Sequence, residues 1–191
     1  MLRRLGLLAL VSLLAFAPAA TAGSAKKKTV KLAPKGATTL ALSDGAASAL
    51  QSLGIAAAPL KPARAGEDGL AFPITAGKLN AKTYAGQIKH VGGLSLTRGN
   101  TRVGLRNFVI NVDSAPDLTA RVGSGRVSIL DLDLSDAEIS RSGRRLTIAG
   151  VKATLTKAAA DALNAAFETD AFAEGLEIGT ATVSGRAAKR R

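Results

Sequence analysis

One tyrosine and one histidine occur in the whole chain, Tyr84 and His90, and they lie six residues apart in "YAGQIKHVGGLSL". An even separation places both on one face of an unbroken strand, roughly 20 Å apart at about 3.3 Å per residue, so the segment alone cannot bring them to one metal ion. His90 by itself can face a pocket at the strand end before Gly92-Gly93, where residues without a side chain let a flat ligand approach the backbone. His90, Gly92, Gly93 and Tyr84 are therefore the candidate ligand-binding residues. The competing reading is a histidine at the end of a hairpin strand with no ligand.

Catalytic patterns are sparse. A Ser-His-Asp triad would have to use His90, and no Gly-x-Ser-x-Gly elbow is present; "VGSGRV" is a turn between strands without the helix such an elbow requires. Carboxylates cluster in "DLDLSDAE", where Asp131 and Asp133 project to one face of a strand, opposite Leu130, Leu132 and Leu134. Solvent is the default environment for that face, and no acidic loop with a glycine pivot supports calcium. The chain has no cysteine, which removes thiolate metal sites and cysteine nucleophiles. The expectation is a protein that is not an enzyme and has no metal site.

The elements are mostly strands. Period-two alternation dominates from Leu70 onward. "LAFPITA" is a strand with Pro73 marking an edge position, and "GQIKH" and "LSLT" flank a hairpin-like turn at Val91-Gly92-Gly93. "TRVGLRNFVINVD" is a long strand whose apolar phase switches near Asn107, from Val103 and Leu105 to Phe108, Ile110 and Val112, as a β-bulge would require. "DLTARV", "RVSILDLDLS", the hairpin of "AEIS" and "RLTIAG", and "EIGTATVSG" follow. Two segments depart from this pattern and resemble each other, "LSDGAASALQ" and "LTKAAADALN"; Ser43 and Thr156 are natural N-caps for two short helices, each expected to close one end of the sheet if the match is a structural pseudo-symmetry rather than coincidence. The fold class is mainly β, an antiparallel sandwich or open barrel with two short α-helices.

The N-terminus has the three parts of a secretory signal peptide: Arg3-Arg4, the apolar run Leu5 to Ala17, and a small-residue exit. Cleavage after Ala22 at Ala20-Thr21-Ala22 is expected, with Ala17-Pro18-Ala19 as the weaker site. That makes the protein secreted, extracellular or of the cell envelope, with no transmembrane anchor in the mature chain. The formal net charge is +12, and much of it sits at the two ends: Lys26, Lys27 and Lys28 in front, Lys189, Arg190 and Arg191 behind. These ends, rather than the β domain, are expected to carry any affinity for a polyanion such as a cell-envelope polymer. A hydrophobic ligand is the other partner class. Nucleic acid is not expected, because aromatics are 3% of the chain and tryptophan is missing.

"FPITAGKLNAKTYAGQIKHVGGLSL", continued by "TRVGLRNFVINVD", resembles the core of the HtaA-domain family. These are secreted or surface-attached actinobacterial domains of β-rich fold, several of which bind and pass on haem. Gly86, His90, Gly92, Gly93 and Leu94 sit close to the family's strand-turn pattern, with Leu94 one place early, and "ATLTKAAADALNAAF" is similar to its late helix. The resemblance spans about Leu42 to Val183. It implies a β-rich binding domain, with haem as the family's ligand, held by a tyrosine on an early helix. The matching helix is "LSDGAASALQSLGI", and between Ser24 and Ala71 there is no Phe, Trp or Tyr. No cofactor is therefore expected, haem through His90 being the alternative. The expected divisions are a signal peptide over 1–22, a basic disordered segment over 23–37, an HtaA-like domain over 38–184 and a basic tail over 185–191.

Overall fold

The computed structural model describes residues 28–189. Twelve strands and two helices follow in chain order: β1 (Thr29–Leu42), α1 (Asp44–Ser52), β2 (Ala56–Leu60), β3 (Arg64–Gly66), β4 (Gly69–Asn80), β5 (Gly86–His90), β6 (Gly93–Arg98), β7 (Thr101–Val112), β8 (Asp117–Val122), β9 (Gly125–Asp133), β10 (Glu138–Ser142), β11 (Arg145–Leu155), α2 (Lys157–Phe167) and β12 (Glu177–Ala187). Eight of the strands form a closed antiparallel ring, β1-β4-β5-β7-β8-β9-β11-β12, shut by pairing of β7 with β8 and of β12 with β1. The expected mainly β class with two helices is what the chain adopts, and the sheet curls until it has no free edge in the ring. Closure removes the unpaired edge groups that an open sheet exposes.

Alternation builds the interior. Ile88 and His90 of β5, Phe108, Ile110 and Val112 of β7, and Leu146, Ile148 and Val151 of β11 are buried, while their neighbours along each strand face out. The phase switch in β7 is a bulge at Asn107, whose φ is 51° and across which the register with β8 shifts. β1 starts at Thr29 and β12 runs to Ala187. The barrel thus takes in residues 29–37 and 185–187, placed outside the domain on charge alone; Val30, Leu32 and Ala187 are buried, and that burial decides it.

Three local expectations are corrected. Pro73 is not on an edge strand, since β4 has β1 on one side and β5 on the other; the proline is tolerated because it lies one residue beyond the last β4–β5 pair, Ile74 with His90. β5 and β6 do not form a hairpin. Both run antiparallel to β7, pairing with its second and first halves respectively, so they are one interrupted track along a single neighbour. The interruption at Val91-Gly92 faces the bulge in β7, where the Asn107 amide donates to the Gly92 carbonyl at 2.8 Å. The two helices do not close opposite ends. β1 and β11 both flank β12 antiparallel, hence run parallel to each other, and α1 and α2 leave from the same end. Their N-caps are as expected: Ser43 Oγ and Thr156 Oγ1 accept from the amides of Ala46 and Ala159, each at 3.1 Å.

Candidate functional site

At the helix end the barrel encloses an apolar cavity of about 120 Å³. Strand residues such as Phe72, Phe108, Leu132 and Ala181 line it, and Ala46 and Leu50 of α1 and Leu163 of α2 roof it. The rings of Phe72 and Phe108 meet edge to face, with centroids 4.9 Å apart. After α2 the chain folds back over the cavity, where Asn164 clamps Phe172 from both sides, donating to its carbonyl at 2.8 Å and accepting from its amide at 3.0 Å. Among the described residues Thr38 is the one cavity-lining residue with a polar side-chain atom.

His90 stands behind Thr38, facing inward and 5% exposed. Its Nδ1 lies 3.2 Å from the Phe108 carbonyl oxygen and its Nε2 2.7 Å from Thr38 Oγ1. A carbonyl only accepts, so Nδ1 carries the proton and Nε2 accepts from the threonine hydroxyl. Burial pushes the imidazole pKa down from 6.5 to about 4, against a smaller upward pull from the Phe108 carbonyl. The ring is neutral at pH 7 and both nitrogens are spent within the protein.

The other candidates fall in different places. Gly92 and Gly93 do adjoin His90, but the space beside them is filled by the chain itself. A Cβ on Gly92 would lie 2.6 Å from the Ala63 nitrogen, and one on Gly93 would lie 2.0 Å from the Leu105 carbonyl oxygen. The close approach anticipated for a ligand is made instead by the β2–β3 turn and by β7. Tyr84 is in the β4–β5 turn with φ 56°, half-buried against the core. It lies outside β5, so it does not share an unbroken strand with His90. Asp131 and Asp133 are exposed on β9 as expected, and Asp131 pairs across the ladder with Asp117. Among the described residues no three of His, Cys, Asp and Glu converge as metal ligands, and no helix is long and apolar enough to cross a membrane. Lys28 and Lys189 are exposed; Lys26, Lys27, Arg190, Arg191 and the signal segment 1–22 lie outside the described residues.

A barrel of this shape has solved counterparts. The crystal structure of the C-terminal domain of HtaA from Corynebacterium glutamicum superposes with a TM-score of 0.64 at 16% identity, covering 83% of this chain and 99% of that one. The fold is that of an HtaA C-terminal domain. A histidine-to-alanine variant of the HtaA domain, crystallised as a domain-swapped dimer, gives a TM-score of 0.56 at 16% identity over 76% of this chain and 94% of that one. No family model and no curated protein sequence matches the chain. Within the HtaA-type fold, the residue that sequence reasoning missed is Thr38. Its signal was weak, since "TTLAL" shows a threonine at an inward strand position and nothing about its partner 52 residues away.

Proposed function

We propose that this protein is a non-enzymatic binding domain of the cell envelope or extracellular space, and that it holds a compact apolar ligand inside the barrel. The observation carrying this is the cavity under α1 and α2, whose surface is apolar throughout. Eight strands give an interior just wide enough to be filled by side chains or to hold one small ligand. A dry cavity of roughly 150 Å³ accepts a benzene-sized molecule, and the volume here is of that order. The HtaA-type fold and the leader-like N-terminus support the location.

Haem fits the residues poorly. Among the described residues no Tyr, His, Cys or Met lines the cavity, and these are the side chains that normally hold haem iron. His90 has no free nitrogen. We therefore expect haem titrated into the protein to give no saturable Soret change at equimolar ratio. Such a change, abolished by His90→Ala, would show that the imidazole leaves Thr38 to ligate iron.

The test of the main reading uses benzene, followed by thermal shift, and the fluorescent probe N-phenyl-1-naphthylamine. Saturable binding that is lost in Ala181→Phe, whose ring would fill the void, is the expected result. Binding that never saturates, or that survives both Ala181→Phe and Ala153→Leu, would place the probes on the outer surface and leave the barrel a purely structural module.

A further inference from the structure

At the barrel end opposite the helices the start of β1 and the end of β12 meet. The first turn of β1 and the last of β12 are hydrogen-bonded to each other and to both neighbouring hairpins. The Ala188 amide donates to the Lys31 carbonyl at 2.7 Å, the Ala81 amide to the Lys28 carbonyl at 2.8 Å, and the Ala187 amide to the Arg144 carbonyl at 2.7 Å. These segments enclose a recess of about 580 Å³ with Lys28, Lys31, Arg141 and Lys189 around it and Val30, Ala81 and Ala187 beneath. From this we infer that the terminal mouth of the barrel is a binding site for a phosphate-bearing polyol polymer, built from the folded domain as well as from its ends.

Charge segregation carries the argument. The segments that meet here, 28–35, 78–86, 139–147 and 184–189, contain no Asp or Glu. Arg145 and Arg186 stand directly opposite each other on β11 and β12, both exposed. Like charges in that register destabilise a sheet, and neither arginine has an ion-pair or hydrogen-bond partner among the described residues. The two ion pairs found there, Lys152 with Asp136 and Lys157 with Asp161, lie on other parts of the barrel. Arg144 is half-buried beside these segments, its Nε donating to the Ala187 carbonyl at 2.9 Å, and Arg141 lines the recess itself. The exposed guanidinium of Arg141 is of the kind that suits phosphate oxygens. The volume falls within the roughly 300–1,000 Å³ usual for ligand sites, and the apolar floor suits the carbon chain of a polyol. A bilayer surface is a poorer partner, because the site is concave and Ile139 is the one large apolar side chain exposed among the described residues. Nucleic acid is poorer still, since among the described residues no aromatic ring lines the recess for bases to stack on.

The test uses the full chain and a synthetic poly(glycerol phosphate) at low salt. The triple variant Lys31→Gln, Arg141→Gln, Lys189→Gln should bind about tenfold more weakly, whereas the charge-matched outer-wall triple Lys89→Gln, Arg102→Gln, Arg121→Gln should stay within about twofold. Arg145→Glu should raise the melting temperature by pairing Arg186, yet weaken polymer binding. Equal losses in the two triples would reduce the effect to net charge and overturn the site. Phosphatidylglycerol vesicles or single-stranded DNA bound with the same dependence on the recess residues would overturn the polymer. Occupancy of the apolar cavity by benzene should be unchanged in the recess triple, so this site and the cavity stand or fall separately.

Discussion

Replacing Gly93 by alanine should cost the barrel about 3 kcal/mol or more, measured by urea unfolding. The reason is contact with main chain. The new methyl would sit 2.0 Å from the Leu105 carbonyl oxygen and 2.9 Å from the Arg106 Cα, and neither can rotate away as a side-chain tip would. β6 would have to part from β7, and β2, which pairs only with β6 in the ladder, would go with it. Gly99→Ala is the control. That glycine has a positive φ of 55° with nothing within 4 Å of its missing Cβ, so it should lose only about 1 kcal/mol from backbone strain. Similar losses at the two positions would mean that β6 can shift away from β7 at little cost.

Acidification should weaken the fold through His90 alone by about 3 kcal/mol, the free-energy equivalent of moving a pKa from 6.5 to about 4. The depressed pKa means that the unfolded chain takes up the proton first. The contribution is complete above pH 6.5, declines as pH falls toward 4 and is gone below it. About 2 kcal/mol of the loss should be reached by pH 5, before most carboxylates titrate. Stability measured between pH 7 and 5 should show this slope in the native protein and little of it in His90→Gln, whose amide can donate to the Phe108 carbonyl and accept from Thr38 without ionising. An equal slope in that variant would assign the acid sensitivity to other groups.

Much of the fold was legible because burial leaves a periodic trace. The apolar phase of β7 changes at Asn107, and only an extra residue in the strand can reconcile both halves with one interior. The helix caps were legible for a similar local reason, a hydroxyl placed just before an alanine-rich helix. Val91-Gly92-Gly93 misled because glycine is silent about why it is needed: a tight turn and a close backbone approach require the same residue, and only the position of Leu60–Ala63 and Leu105 distinguishes them. The candidate site was less legible still. His90 stood out as the chain's one imidazole, but its burial depends on Thr38 and Phe108, which are remote in sequence. The meeting of Lys28 and Lys31 with Lys189 follows from the pairing of β1 with β12, a long-range fact with no local signature.

That pairing also fixes when the protein can exist. β1 finds β4 after some fifty residues, but its other edge stays unsatisfied until the last strand is available to cover it. At synthesis rates of roughly 5–20 residues per second, the hundred or so residues between β4 and β12 take about five to twenty seconds to make, and the ring cannot close before then. For that interval the nascent molecule is an unclosed sheet with an exposed strand edge, the kind of species that a holding chaperone can engage. Closure thus waits on the arrival of Glu177–Ala187.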